Sequence, residues 1–565
     1  MNIDLKARPF FLDDEAIRWV EQTRDAMTLE EKVGQLFCVL FKKAEKEELD
    51  YVLNILKPGG CMYRVVPTER AVAFTKELWA RGTVPPLIAA NLEKGGNGIV
   101  EEGTCMASPM EIAATGDVEM ARKMAEVCGV EGSAVGANWA FAPIIDIDDN
   151  FRSPITNTRT FGSDPKRVRD MGRAYVEEIQ KHGLAASIKH FPGDGQDERD
   201  QHLVTTINSM DCETWMATYG EAYRAGIEAG ALTCMVGHIM QPAWSRRLRP
   251  GIADRDILPG SLSEEIMGDL LRGELGFNGM IVTDATTMAG YTIPMSRREA
   301  VPHSIAAGAD MFLFARNLEE DYGFMLEGAK NGTITPERLN DAVTRVLAVK
   351  AALGLHKKTW EPDAKALAQV GCEKHLQWSR ECADKAITLV KEEQGVLPIT
   401  PERYPRILFY AVEPPAGGEG NYKVKAACDM LRERLEREGF RIDTFVPQPY
   451  GEGFTTKYED MVKDYDLMLY AANLSTKSNQ TVVRIEWKQP MGADCGHYLN
   501  DVPTVFVSLE NPYHLLDFPR VRTYVNCYSN NDRVLDALVE KLTGRSPFEG
   551  KNPVDPFCGK WDTRL

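Results

Sequence analysis

Residues 261–286 read SLSEEIMGDLLRGELGFNGMIVTDAT. SEEIMGDLLRGELGF repeats its apolar residues at helical spacing, and GMIVTDA (279–285) then runs almost wholly apolar until it ends on Asp284. A strand that is continuously apolar rather than alternating is buried on both faces, as in a parallel sheet.

The same kind of run recurs along the chain: FCVLF (37–41), GCMYRVV (60–66), LIAANLE (87–93), WAFAPIIDI (139–147), AASIKHF (185–191), ALTCMVGHI (231–239) and ADMFLFA (309–315). Helical segments separate most of them. TLEEKVGQLF opens with Thr28 and Glu31 in capping-box spacing and sets Leu29, Val33 and Leu36 on one face. Eight buried strands between residues 37 and 315 predict a (β/α)8 TIM-type barrel, with an open doubly wound sheet as the competing fold.

In a barrel the functional groups lie at the C-terminal strand ends. Those ends carry Asn91 and Glu93, Asp146, Lys189 and His190, His238, Asp284, and Arg316 with Asn317. One polar strand end is ordinary; polar groups closing so many apolar strands predict a shared pocket.

The chain has 565 residues, enough for two or three domains. We expect the barrel over 1–356, a helical linker over 357–400, and a smaller doubly wound α/β sandwich domain over 401–565. The last rests on five runs: RILFYAVE (406–413), RIDTFVP (441–447), DLMLYAANL (466–474), PTVFVSLE (503–510) and TYVNCYS (523–529). GGEG at 417–420 matches neither a dinucleotide nor a P-loop fingerprint and reads as a loop, with a phosphate cradle as the alternative.

A net charge of −17 argues against nucleic acid or an anionic membrane as the main partner. No apolar run reaches a membrane span, and the start lacks a secretory signal pattern. The twelve cysteines form no CxxC pair, and Cys38, Cys61, Cys234 and Cys527 read as small buried hydrophobes. A cytoplasmic setting is expected.

Asp284 could be a nucleophile, a base or an electrostatic stabiliser, or merely the cap of the next helix. KHFPGDGQDERDQH (189–202) places Asp200 two residues before His202, so an extended loop would point both side chains the same way. A carboxylate beside an imidazole makes a proton shuttle; a solvated surface loop is the alternative. Metal binding by Asp194, Asp197, Asp200 and His202 has no supporting spacing, so neither metal nor cofactor is expected. A rigid Asp284 with a mobile Asp200–His202 pair would suit a retaining displacement, the histidine standing where a second carboxyl is usual.

The loop resembles the KHFPGHGxxxxDSH signature of glycoside hydrolase family 3, in its NagZ-like β-N-acetylglucosaminidase (β-N-acetylhexosaminidase) branch. MTLEEKVGQLF, FAPIIDI with SPITNTRTFGSDP, the segment around Asp284, and KAITLVKEEQGVLPI resemble that family's other segments in order and spacing. The resemblance implies that Asp284 is the nucleophile, His202 the general acid/base and Asp200 its orienting partner. Lys189, His190 and Arg159 would hold the sugar hydroxyls; from their places at the strand ends, Asn91, Glu93 and His238 are expected as further binding residues. It implies a second domain that is structural or supports a homodimer.

Four positions depart from the pattern. Asp194 replaces a histidine, and Gln201 replaces a serine, which is expected to face away. ANLEKGGNG stands where DxEGG is usual, so Asn91 occupies the place of a sugar-binding aspartate and Lys94 is an insertion. Asparagine cannot make a carboxylate's charge-assisted contact, which leaves the sugar open.

The expected activity is exo-acting, retaining removal of β-linked N-acetylglucosamine from small oligosaccharides such as cell-wall fragments or chitin oligomers. The alternatives are a phosphorylase of the same family, a β-glucosidase-like specificity, and a sugar-binding protein that has lost catalysis.

Overall fold

The computed structural model describes residues 3–42, 49–50, 52–393, 395–413, 426–446, 457–474, 478–479, 481–487, 489 and 492–565. GGEG (417–420) lies outside the described residues. The chain divides into two compact units. One comprises Met1–Met106, Ala121–Asn150 and Pro165–Leu376; the other comprises Ala107–Met120, Phe151–Asp164 and Gln377–Leu565.

The first unit holds β1 (Phe37–Phe41), β2 (Gly60–Tyr63), β3 (Leu87–Ala90), β4 (Trp139–Ala140), β5 (Ala185–Phe191), β6 (Thr233–Val236), β7 (Met280–Thr283) and β8 (Phe312–Leu313). They form one parallel sheet in the order β8-β1-β2-β3-β4-β5-β6-β7. A parallel bridge between Val282 and Met311 joins β7 to the approach of β8 and closes the ring. That closure decides for the barrel over an open sheet. Each strand lies in one of the predicted apolar runs. β4 is the shortest relative to its run because Pro143 has no N–H to give; pairing resumes at Ile144, opposite Lys189.

Local signals built the wall as expected. Thr28 accepts the Glu31 N–H at 3.2 Å and Glu31 accepts the Thr28 N–H at 3.0 Å, closing the capping box of helix Leu29–Gln35. Before β7, Glu265–Glu274 winds as a π-type helix and buries Ile266, Met267, Leu270 and Leu271. Cys38, Cys61, Cys234 and Cys527 are buried, and burial pushes the Cys61 thiol up to about 12.

The second unit carries a six-stranded mixed sheet. Its strands are β9 (Thr388–Glu392), β10 (Arg406–Val412), β11 (Arg441–Thr444), β12 (Leu467–Ala472), β13 (Thr504–Ser508) and β14 (Thr523–Asn526), in the order β9-β14-β13-β12-β10-β11. Side chains alternate between two cores. Ile407, Phe409, Leu469, Val507 and Val525 pack on one face with Leu431, Leu435 and Leu538. Tyr410, Tyr470, Phe506 and Tyr524 line the other with Leu515 and Phe518. Both faces are covered, as a doubly wound layer requires. β9 falls within the stretch 357–400 expected to be linker, and it pairs antiparallel to β14.

Candidate active site

Asp284 follows β7 directly. Its N–H donates to Val236 O at 2.8 Å, so the ladder runs up to the residue itself, and Ala285 N–H donates to its Oδ1 at 2.7 Å. The next helix, Ala289–Thr292, has Met288 at its N-cap, so Asp284 caps no helix there. Its carboxylate is fixed at the strand end and only 14% exposed.

Three histidines act on it. His190 Nε2 lies 4.0 Å from Asp284 Oδ2, too far for a hydrogen bond but close for a charge. Burial pushes the Asp284 carboxyl up, but His190, His238, His202 and the Ala285 N–H together outweigh burial and hold it below the usual range. The site is built to keep a buried aspartate ionised.

His190 owes its aim to Asp146, at the strand end after β4. Its Nδ1, 2.7 Å from Asp146 Oδ2, must be the donor because a carboxylate only accepts, which leaves Nε2 facing Asp284. Asp146 Oδ1 also takes the N–H groups of His190, at 3.0 Å, and Asp194, at 2.8 Å. The β5–β6 register shifts between Ile188 and Phe191, so Lys189 and His190 occupy an irregularity that re-aims their side chains. Lys189 Nζ pairs with Glu93 Oε1 at 2.7 Å, largely buried.

The acid/base candidates also meet. His202 Nδ1 lies 2.6 Å from Asp200 Oδ1, which accepts the His202 N–H at 2.8 Å as well. Asp200 is buried, which sets aside the solvated-loop alternative. The pair closes through a turn rather than an extended segment, since Leu203 and Val204 N–H groups return to Asp200 O at 2.9 and 3.1 Å. The loop docks on the segment after the aspartate: Ala289 N–H donates to His202 O at 3.0 Å and Gly290 N–H to Gln201 O at 3.2 Å. Residues far apart in sequence are thereby brought to one place.

His238 differs from the expectation of a sugar ligand in having no ring nitrogen to offer. Nε2 lies 3.1 Å from Ala285 O and must donate, and Nδ1 is engaged with Ser261 Oγ at 2.8 Å. Burial, partly offset by Asp284, lowers its pKa. It holds the peptide that follows Asp284. Asn91 stands exposed beyond β3. Arg159 belongs to the second unit, on the 3₁₀ turn Asn157–Arg159.

Asp197 engages Arg199 and the Ile207 N–H. Among the described residues no cluster of three or more His, Cys, Asp or Glu side chains is arranged to hold a metal ion.

Sequence reasoning missed the partners. Asp146 was visible only as a polar strand end, and Ser261 carried no signal. Gln201 was expected to face away; it is buried, because its amide bridges Asp194 and the His238 N–H.

Residues 28–349 match the Glycosyl hydrolase family 3 N terminal domain. Over 563 residues, covering all of both chains, the sequence is 53% identical to a β-N-acetylglucosaminidase/β-glucosidase of Cellulomonas fimi. Among solved structures it resembles the β-glucoside phosphorylase BglX, with a TM-score of 0.93, 45% identity and 99% of each chain covered. The fold alone is shared with a family 3 β-N-acetylglucosaminidase from Paenibacillus sp. str. FPU-7, at a TM-score of 0.79 and 24% identity, over 95% of this chain and 100% of that one. Barrel, mixed-sheet unit and full-length similarity agree: the chain is an enzyme of glycoside hydrolase family 3.

Proposed function

We propose that the enzyme removes a β-linked N-acetylglucosamine or glucose from the non-reducing end of an oligosaccharide with retention of configuration. The observation that carries this reading is the buried Asp284 carboxylate, held ionised by His190, His238 and His202, with an Asp200–His202 dyad docked on the segment that follows it. Asp284 attacks the anomeric carbon while the glycosidic C–O bond breaks and His202 gives its proton to the departing oxygen. His202 then takes a proton from the acceptor, whose oxygen displaces Asp284 from the sugar and regenerates the carboxylate. Lys189, Glu93, His190 and Asn91 hold the sugar; His238 positions the nucleophile. The buried cysteines fit a reducing, cytoplasmic setting.

The test is turnover of 4-nitrophenyl N-acetylglucosaminide and glucoside. Asp284→Ala and His202→Ala are each expected to cost several orders of magnitude on the preferred sugar. Wild-type rates in either variant sink the proposal.

A second reading makes phosphate the acceptor. Two observations favour it: the full-length likeness to a β-glucoside phosphorylase, and an imidazole base, which in its neutral form repels phosphate less than a carboxylate would. Product analysis with and without inorganic phosphate separates the two, since only phosphorolysis yields a sugar 1-phosphate.

A further inference from the structure

Gln201 lies between Asp200 and His202 in the chain and is 1% exposed. Its Nε2 donates to Asp194 Oδ2 at 3.1 Å, its Oε1 accepts the His238 N–H at 2.8 Å, and its carbonyl accepts the Gly290 N–H at 3.2 Å. The amide can stand only one way. A backbone N–H on one side demands oxygen, and a carboxylate on the other demands the NH2 group. Asp194 is itself pinned: Oδ1 takes the Gly195 N–H at 2.9 Å, and its own N–H donates to Asp146 Oδ1 at 2.8 Å. Gly290 makes room, since a Cβ there would come within 2.5 Å of Gln201 O.

Within the loop Glu198 and Arg199 are exposed, and Asp197 ties it to the Ile207 N–H at 2.9 Å. The two motif departures at Asp194 and Gln201 are thus two ends of one hydrogen bond.

We propose that Gln201 is a positioning residue for the acid/base, fastening the Asp200–His202 dyad to the strand ends that carry Asp146 and His238, with Asp194 setting the orientation of its amide. The inference rests on the reading of His202 as acid/base. Neither residue touches substrate; they act by holding the imidazole where the leaving oxygen will be. Misplacing a reacting group by about 1 Å costs on the order of 100-fold in rate.

Leaving-group dependence separates this role from a general structural one. A 2,4-dinitrophenyl glycoside departs with little need of a proton, whereas a methyl glycoside departs only when protonated. Gln201→Glu sets two carboxylates against each other and Asp194→Asn sets two amide donors against each other. Each is expected to lower kcat/KM for the methyl glycoside about 10- to 100-fold and to leave the dinitrophenyl glycoside near wild type. The double variant Asp194→Asn/Gln201→Glu reverses donor and acceptor, keeps the charge count, and is expected to recover most of the methyl glycoside rate. Gln201→Ala is expected to add little on a His202→Ala background.

Equal losses on both substrates, a double variant no better than the worse single one, or full additivity with His202→Ala each overturn the proposal. The two levels fail differently. If His202→Ala leaves the methyl glycoside rate intact, the acid/base reading falls and this inference with it. If His202→Ala is slow and the Gln201 variants are not, only this inference falls.

Discussion

His190 Nε2 stands 4.0 Å from Asp284 Oδ2 while its Nδ1 is tied at 2.7 Å to the buried Asp146, so one carboxylate aims the imidazole that faces another. The arrangement opposes burial. Among the groups that draw the Asp284 carboxyl down against its desolvation, His190 contributes most, followed by His238 and His202.

Replacing His190 by glutamine is therefore expected to raise the Asp284 pKa, because burial stays and the largest opposing charge goes. In the proposed mechanism the carboxylate is the form that attacks, so a higher pKa shifts the acid limb of the kcat/KM–pH profile to higher pH. The profile on a dinitrophenyl glycoside checks this. An acid limb that stays in place in His190→Gln contradicts the account.

Lys189 and Glu93 form a second pair, at 2.7 Å, with side chains 4% and 14% exposed. Glu93→Ala leaves an ammonium buried without this counter-ion, at an expected cost of about 3–5 kcal/mol in stability. The proposed function has this pair hold the sugar, so KM is expected to rise as well. Thermal unfolding and KM on the preferred aryl glycoside test the two consequences separately; an unchanged melting temperature counts against a close-held pair.

Barrel strands are legible because burial on both faces leaves a nearly unbroken apolar run, as in Met280–Thr283. Strand β9 is not. Thr388–Glu392 includes Lys391 and Glu392 and lies at the edge of its sheet, so it has no such run and reads as linker. Asp284 shows because a carboxylate ending an apolar strand is conspicuous. Asp200 and His202 show through their spacing, although a turn joins them. Gln201 could not be read, since its worth depends on Asp194 and on a β6-end N–H that only tertiary folding supplies. Likewise nothing local ties His238 to Ser261 or to Ala285.

His238 is expected to matter without touching sugar. His238→Leu removes the donor to Ala285 O and strands Ser261 Oγ in a buried place. Positioning effects of this kind are commonly about 10- to 100-fold. Because the proposed nucleophile, Asp284, is displaced, kcat/KM should fall alike for dinitrophenyl and methyl glycosides, unlike the selective loss expected at Gln201. A loss confined to the methyl glycoside refutes this assignment.

Lys350, on helix Pro336–Ala352, is buried with its Nζ on Gln35 Oε1 at 2.8 Å. Burial pushes its ammonium down to about 7, with the Cys61 thiol opposing only in part. Here the folded pKa lies below the unfolded value, so between them the unfolded chain binds more protons and stability rises with pH. The burden of the charge is full below about pH 7 and is relieved as pH climbs toward the unfolded value. Going from pH 7 to 9, wild type is expected to gain on the order of 2 kcal/mol relative to Lys350→Met, which has no proton to release. Melting temperatures of both proteins across that range give the comparison. Parallel curves mean that Lys350 keeps its proton in the folded barrel, and the account of its burial fails.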